Sequence, residues 1–246
     1  MNSIRDVAYR ARRRIVQAVN EAGFSRARWP RSYALLDVAF EPLATARDYD
    51  QIYSARSDPW DYVSNPEEHE RYRLTLEMLD RARNGRRFET ALEVGCSEGA
   101  FSELLAQRCD SLLAVDFCPL ALDRARDRCR SERGVMFRLY DLRREPAPGC
   151  FELVVAMDLL SAFRRPGAMR KALEKLVESI GAGGYLLITD HRQHPIFEEA
   201  WWARRLLRGG KWIVAAVAEN AALTKIEGSH TGTHVLALFQ RREIPA

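Results

Sequence analysis

The 246-residue chain contains no uninterrupted apolar run close to the ~18 residues that a membrane-spanning helix needs. A secretory signal is missing as well, because Arg5, Arg10 and Arg12 interrupt any apolar stretch near the N-terminus. These absences predict a cytoplasmic protein without a membrane span. Apolar residues still make up 47% of the chain, which is enough to fill a core and argues against global disorder.

Cysteine motifs are also lacking. The chain has five cysteines, an odd number, and no two of them stand in a CxxC spacing. We therefore expect neither a disulfide framework nor a zinc ribbon, and we predict no metal site.

Lysine is scarce, with four lysines among 38 basic residues. Positive charge is concentrated in residues 1–31, where eight arginines stand against two acids and give a net charge of +6, which leaves −2 for the rest of the chain. A near-neutral body without a basic-aromatic module makes nucleic acid an unexpected partner.

The N-terminal quarter predicts an arm or lid over residues 1–65. An amphipathic helix is expected over 3–22, and turn signals such as Asp58-Pro59-Trp60 predict irregular chain over 24–65. A second helix should begin at Pro66 and end near Arg83, ahead of Asn84-Gly85.

From residue 90 onward, short apolar runs alternate with helical stretches. This alternation predicts an α/β fold with a doubly wound, seven-stranded, mostly parallel sheet and one antiparallel strand. The candidate strands are 90–94, 111–115, 135–140, 151–157, 184–189, 222–227 and 234–240, and the candidate helices are 99–108, 119–131, 166–180 and 195–208.

Three acidic residues follow or close successive predicted strands. Glu93 closes the first strand ahead of Gly95, Asp116 ends the second, and Asp141 follows the third. In parallel sheets, ligands bind at this edge, and a carboxylate at Asp116 can accept both hydroxyls of a ribose. Asp141 could accept from the exocyclic amine of adenine, or could simply cap a helix or face solvent.

The glycine turn itself disfavours a dinucleotide. Its pattern is Gly95-x-x-x-Gly99, with Glu98 just before the helix, where a carboxylate would repel a diphosphate. A ligand with a zwitterionic tail and a cationic centre is compatible with that turn.

These motifs, from LEVGCSEGAF through LLAVDF, YDL and FELVVAMD to GAGGYLLITD, resemble the class I S-adenosylmethionine-dependent methyltransferases. More narrowly, DPWDYV and the Arg71-Tyr72 pair resemble the nodulation-type, NodS-like small-molecule methyltransferases. The chain departs from these patterns at Ser97, where a glycine is usual and the turn is expected to be slightly displaced, and at Glu67, where a tyrosine is common.

The resemblance implies S-adenosylmethionine as cofactor and S-adenosylhomocysteine as product, with separate residues for each part of the cofactor. The methionine part would be lined by the glycine turn, the ribose held by Asp116 and the adenine covered by Phe117 and Leu142. The lid would supply Trp60 and also Arg71, whose guanidinium would pair with the cofactor carboxylate. The complete cofactor set implied is Trp60, Arg71, Glu93, Gly95, Cys96, Gly99, Asp116, Phe117, Asp141, Leu142 and Asp158.

The acceptor side is indicated by histidines. His191 follows the fifth predicted strand and is the first candidate for a base or acceptor clamp, with His194 second. Asp158, beside the sulfonium, is a third candidate catalytic residue. Residues 190–220 read as a substrate-side insertion within the methyltransferase domain, which spans 66–246.

The leading hypothesis is methyl transfer to an amine or hydroxyl of a small, sugar-like or natural-product molecule in a bacterial biosynthetic pathway. The alternatives are an RNA methyltransferase, a catalytically silent cofactor- or partner-binding domain, and a nicotinamide dehydrogenase. The oligomeric state stays open.

Overall fold

The computed structural model describes residues 46–163, 166–192 and 209–243. The helices predicted over 3–22 and 195–208, and His194, lie outside these ranges. No helix in the described ranges is long and apolar enough to cross a membrane.

A single seven-stranded sheet forms the centre of the described part. Its spatial order is β3-β2-β1-β4-β5-β7-β6, in which β7 is antiparallel to both neighbours and the other pairings are parallel. The predicted doubly wound fold with one antiparallel strand is confirmed. The strands are β1 (Phe88–Val94), β2 (Cys109–Asp116), β3 (Val135–Leu139), β4 (Phe151–Met157), β5 (Ile180–His191), β6 (Leu223–His230) and β7 (His234–Arg241).

Helices cover both faces of the sheet. Side chains of α2, α3 and α4 pack on one face, and those of α5 and α6 pack on the other. The described helices are α1 (Ala46–Ala55), α2 (Pro66–Arg83), α3 (Ala100–Ala106), α4 (Pro119–Arg128), α5 (Pro166–Glu178) and α6 (Gly210–Ala218), with a 3-10 turn at Leu160–Ala162.

Strand β1 shows why the two cores form. Leu92 and Val94 pack into the core beneath α5 and α6, whereas Ala91 packs into the core on the other face, beneath α2 and α3. Alternate side chains of a strand point to opposite faces of the sheet, so a strand apolar on both faces is buried between two helical layers.

Helix α2 agrees with its prediction in full. The Asn65 side chain accepts a hydrogen bond from the Glu67 backbone N–H at 3.0 Å, Pro66 occupies the first turn, and Asn84 ends the helix with a left-handed φ of 52°. An N-cap acceptor, an early proline and a left-handed C-cap are the expected boundary signals.

Two helices correct the sequence-based description. Helix α1 occupies part of the segment that was expected to be irregular; its Tyr53 is buried against Cys118 and Ala121. Helix α6 lies inside the span expected to be a substrate-side insertion, but Ile213 and Val217 are buried in the core. The final part of that span therefore belongs to the helical layer that packs on the sheet. Strand β5 also begins earlier than predicted, at Ile180.

Candidate active site

The glycine turn after β1 has an alternating left-handed backbone. Gly95, Ser97 and Gly99 have φ values of 80°, 53° and 78°. Ser97 therefore keeps the backbone conformation that a glycine would adopt without strain. Its N–H donates to the Asp116 carboxylate at 2.9 Å, which ties the turn to the end of β2.

The two glycines of the turn have different neighbours. Gly95 borders an open cavity at the carboxyl edge of the sheet. Gly99 does not border it; a Cβ at Gly99 would lie 3.0 Å from Ala125 in α4. The structure therefore places Gly95 at the cavity, whereas Gly99 permits close packing of α3 against α4.

The edge cavity is the space between α2, the glycine turn and the end of β4. Five of the predicted cofactor residues border it: Arg71, Glu93, Gly95, Cys96 and Asp158. The other lining residues are Tyr62, Tyr72, Ser97, Ala100, Phe101 and Met157. Trp60, Asp116, Phe117, Asp141 and Leu142 do not border it.

Glu93 is a buried acid in the wall of the edge cavity. It is 3% exposed and accepts a hydrogen bond from the Ser102 hydroxyl at 2.5 Å. Burial raises the pKa of Glu93 to about 8, because the charged carboxylate loses its hydration. A cationic ligand in the cavity would favour its ionised form.

Asp116 lies beside the cavity and is 8% exposed. Its two oxygens accept from the N–H groups of Ser97 and Cys118, both at 2.9 Å. Burial raises the pKa of this carboxyl group in spite of those bonds. A carboxylate has about four acceptor positions, so its capacity to accept from a ligand is not exhausted by these bonds.

Helix α1 covers this part of the edge with aromatic side chains. The Tyr53 hydroxyl is hydrogen-bonded to the Ser97 hydroxyl and accepts from the Trp60 indole N–H at 3.0 Å. The Tyr49 ring meets Phe117 edge-on, with centroids 4.9 Å apart. Trp60 thus reaches the glycine turn through Tyr53.

Asp141 is bound to arginines. Arg143 donates to both of its oxygens, at 2.8 and 3.1 Å, and Arg144 lies 3.4 Å away. Burial would raise the pKa of Asp141, but the bonds from Arg143 leave it below its usual value. The Arg143 guanidinium also stacks over Phe117, while Leu142 is buried in the core.

Arg71 differs most from its expected role. It is 2% exposed, and its guanidinium bonds to Glu68, to Asp158 and, at 3.0 Å, to the Thr189 hydroxyl. Arg71 also borders the cavity, and its Nε has no hydrogen-bond partner among the described residues. Burial would raise the pKa of Asp158, but the Arg71 charge holds it well below its usual value.

His191 lies opposite His234 in the β5–β7 pairing, and the two rings stack with centroids 4.0 Å apart. Burial lowers the pKa of His191, although the Asp158 carboxylate acts in the opposite direction. Oxygen and nitrogen atoms of Asp158, His191 and His234 lie within 4.8 Å of one another. Asp190, behind them, is fully buried and has a pKa raised to about 7, mainly by burial and then by Asp158.

The family model described as Nodulation protein S (NodS) matches residues 46–233, which is more than half of the chain. The chain belongs to the NodS family. Nodulation protein S of Rhizobium tropici is 33% identical over 138 residues, covering 56% of this chain and 57% of that protein. That of Bradyrhizobium diazoefficiens is 30% identical over 179 residues, covering 73% of this chain and 81% of that protein.

Matches to the first relatives are partial: the chain spans 57% of the Rhizobium tropici protein and 60% of the Sinorhizobium fredii protein. Among solved structures, the N-methyltransferase NodS from Bradyrhizobium japonicum WM9, in complex with S-adenosylhomocysteine, superposes with a TM-score of 0.69. It is 25% identical, and the match covers 80% of this chain and 98% of that one. Magnesium protoporphyrin IX methyltransferase from Synechocystis, at 12% identity and a TM-score of 0.62, shares the fold. The predicted NodS-like methyltransferase resemblance is confirmed.

Several side chains at this NodS-family site were not among the predicted site residues. Tyr53 contacts Ser97 of the glycine turn, and Thr189 contacts the predicted residue Arg71. His234 joins His191 only through the register of β5 and β7. Two features of the sequence could have indicated these residues. They are the departure from glycine at Ser97 and the histidine at the start of the last strand.

Proposed function

We propose that this NodS-family protein transfers the methyl group of S-adenosylmethionine to an amino group on a small, sugar-like molecule. The observation that carries the proposal is the edge cavity, which places the glycine turn, Glu93 and Asp158 side by side at the carboxyl ends of parallel strands. Ligands of doubly wound sheets bind at that edge. The related NodS structure is that of an N-methyltransferase in complex with S-adenosylhomocysteine.

The residues present fit such a cofactor in shape and charge. A Cβ at Gly95 would lie 3.3 Å from Leu159, so only glycine leaves the backbone accessible there. The remaining acceptor capacity of the Asp116 carboxylate suits the hydroxyls of a ribose. Glu93 would face the methionine part, Phe117 and Leu142 would cover the adenine, and Asp141 would accept from its amine. When bound, S-adenosylmethionine supplies a methyl carbon activated by a positive sulfur.

The protein's own part in the reaction is alignment and removal of a proton. An amine is protonated near neutral pH, so it must lose a proton before its nitrogen lone pair can attack carbon. Asp158 is ionised beside Arg71 and its side chain is 32% exposed, which suits it to attract an ammonium group. We also propose residues 1–65 as a lid, because α1 lies over Asp116 and the glycine turn.

Cofactor binding is tested by titration calorimetry with S-adenosylhomocysteine. D116N should weaken binding by about 10- to 100-fold, because a bond to a charged acceptor contributes about 1.5–3 kcal/mol. The matched control is D110N, an exposed aspartate near the other end of β2, which should bind as the wild type does. Equal binding by wild type and D116N would contradict the assignment of Asp116, and no heat with the wild type would contradict the cofactor.

Acceptor class is tested by transfer of an isotope-labelled methyl group to pairs of compounds that differ in one atom. Glucosamine against glucose, and benzylamine against benzyl alcohol, are suitable pairs. We expect label in the amines only. Label in the alcohols only would replace N-methylation by O-methylation while leaving the cofactor assignment intact.

A further inference from the structure

We propose that His234 is the proton acceptor for the ammonium group of the acceptor, and that Asp158, His191 and His234 together form the subsite for that group. We call these three residues the histidine cluster. The inference rests on the N-methylation proposed above. It moves the role of base from His191, the residue that the sequence favoured, to a histidine outside the predicted set.

Two buried atoms in the cluster lack a hydrogen-bond partner. They are Asp158 Oδ1 and His234 Nε2, which lie 3.4 Å apart. His234 is 1% exposed, so its ring nitrogen has no access to bulk water. A buried polar atom without a partner is costly, and two such atoms facing each other indicate a site for a group that serves both.

The other nitrogen of His234 fixes which tautomer is present. Thr233 Oγ1 donates to the Glu67 carboxylate at 3.2 Å and lies 2.8 Å from His234 Nδ1. A hydroxyl has one proton, and a carboxylate can only accept. Since Thr233 gives its proton to Glu67, its oxygen must accept from the Nδ1–H of His234. In the neutral ring the lone pair therefore lies on Nε2, the atom that faces Asp158.

An ammonium group supplies what this pair of atoms lacks. Its N–H bonds can reach Asp158 Oδ1 and His234 Nε2 together, because atoms 3.4 Å apart can share one nitrogen at hydrogen-bond distance. One proton then passes from the ammonium to Nε2, and the amine nitrogen keeps the electron pair that attacks the methyl carbon. The reaction releases one proton overall, which leaves His234 for solvent once departure of the methylated product opens the subsite.

The surrounding charges favour this transfer. Asp158 faces the new imidazolium on one side, and Glu67 stabilises its Nδ1–H through Thr233. This arrangement, a base oriented on its far nitrogen by a further group, is the general pattern of an activated imidazole.

Other titratable groups face the cluster from neighbouring elements. Helix α2 contributes Arg71 and Glu68, which are bonded to each other, and Arg71 also binds the second oxygen of Asp158. Strand β5 contributes Asp190 and the half-buried His191, whose ring lies against His234. Because His191 is the more exposed of the stacked pair, we assign it to the entrance side of the subsite as a positioning residue.

The test compares H234Q with H230Q, an exposed histidine on β6 of the same hairpin. Methyl transfer is measured from pH 6 to 9.5 with the best amine of the panel above, at saturating cofactor. H234Q should lose about 100-fold in kcat at pH 7, in line with the usual contribution of a general base. The deficit should shrink about tenfold per pH unit as free amine forms in solution, and S-adenosylhomocysteine affinity should not change. H230Q should match the wild type.

A second measurement tests the tautomer of His234 directly, without relying on the rate of methyl transfer. Long-range proton–nitrogen NMR of the imidazoles should show Nδ1–H on His234, and T233V, a change at an exposed residue, should remove that preference and lower kcat about tenfold. The opposite tautomer in the wild type would overturn the inference.

The remaining outcomes are separable. If the wild type methylates amines and H234Q has the same pH profile of kcat, the role of His234 alone is overturned. The same holds if the loss of kcat that shrinks as pH rises is found in H191Q instead of H234Q. Activity lost on treatment with EDTA and restored by zinc or manganese would show that the cluster is a metal site. Methylation of alcohols only, with S-adenosylhomocysteine still bound, would overturn both proposals.

Discussion

Asp116 at the end of β2 and Asp158 after the end of β4 lie at the same sheet edge, yet they have different kinds of partner. Asp116 accepts from two backbone N–H groups that belong to adjoining turns. Asp158 binds the Arg71 side chain from α2 and faces His234 from β7. The half of the edge that we assign to the cofactor is thus organised by local backbone. The half that we assign to the acceptor is assembled from side chains of separate elements, and we call the two the cofactor half and the acceptor half. The acceptor half should be the more sensitive to substitution and to pH.

The largest effect should come from R71M, which removes the cation shared by Glu68 and Asp158. Both carboxylates would then lie close together with no positive charge between them. Breaking a buried ion pair by removing one partner costs about 3–5 kcal/mol, and urea unfolding would measure the loss. The exposed R73M, on the same helix, is the control and should change stability little. A loss of under about 1 kcal/mol in R71M would remove the contrast between the two halves.

Glu93, in the cavity wall between the halves, should give the next largest effect. Its pKa is raised by burial to about 8 in the folded protein, against 4.5 for the free side chain. The folded state therefore holds a proton that the unfolded state releases, and the stability of the ligand-free protein falls as pH rises between those values. Glutamine stays neutral throughout this range.

The difference in unfolding free energy between E93Q and wild type should consequently grow in favour of E93Q from pH 5 to pH 7.5. The expected growth is about 3 kcal/mol, at 1.36 kcal/mol per pH unit. Urea unfolding at four pH values would measure it. A difference that stays constant with pH would mean that Glu93 ionises as readily in the folded protein as in the unfolded chain.

The contrast between the halves also explains what the sequence could predict. The strand, glycine turn and Asp116 follow one another along the chain, so apolar runs and spacing were enough to find them. The stacking of His191 on His234 depends on where the last turn falls. Strand β6 continues to His230, three residues beyond its predicted end, and the separate register of β7 with β5 places His234 opposite His191.

Helix α1 was missed for a different reason. Its sequence, ARDYDQIYSA, is largely polar. Its Tyr53 is buried against the start of α4. It is fixed by polar contacts with distant residues, Arg124 and Ser97, which no periodicity within the helix reveals. The prediction missed helix α6 for the opposite reason. Its run GKWIVAAVA is apolar enough for a core helix, but it follows a span that resembles an insertion.

Ser97 offers a smaller test of how far local backbone organises the cofactor half. S97A and S97G both remove the hydroxyl that bonds Tyr53, but only S97G removes the cost of a left-handed φ at a residue with a Cβ. S97G should therefore be more stable than S97A by about 1 kcal/mol in urea unfolding. Y53F breaks the same bond without changing the backbone and serves as control. Equal stability of S97A and S97G would indicate that the turn relaxes freely.

The smallest expected effect concerns the attachment of α1 to the sheet. Arg124 donates to the carbonyls of Tyr53, Arg56 and Ser57, at 2.5, 3.1 and 2.9 Å, at the C-terminal end of the helix, where a positive charge is favourable.

R124M should release α1 locally, with amide exchange in Ala46–Ala55 faster by about threefold, equivalent to about 0.7 kcal/mol, while exchange in β1 stays unchanged. R128M is the control, because Arg128 binds Glu98 and makes no bond to α1. If amide exchange in α1 is equally fast in R124M and R128M, the aromatic contacts of Tyr49 and Tyr53 are enough to keep α1 on the sheet. The cofactor half would then depend on packing as well as on backbone hydrogen bonds.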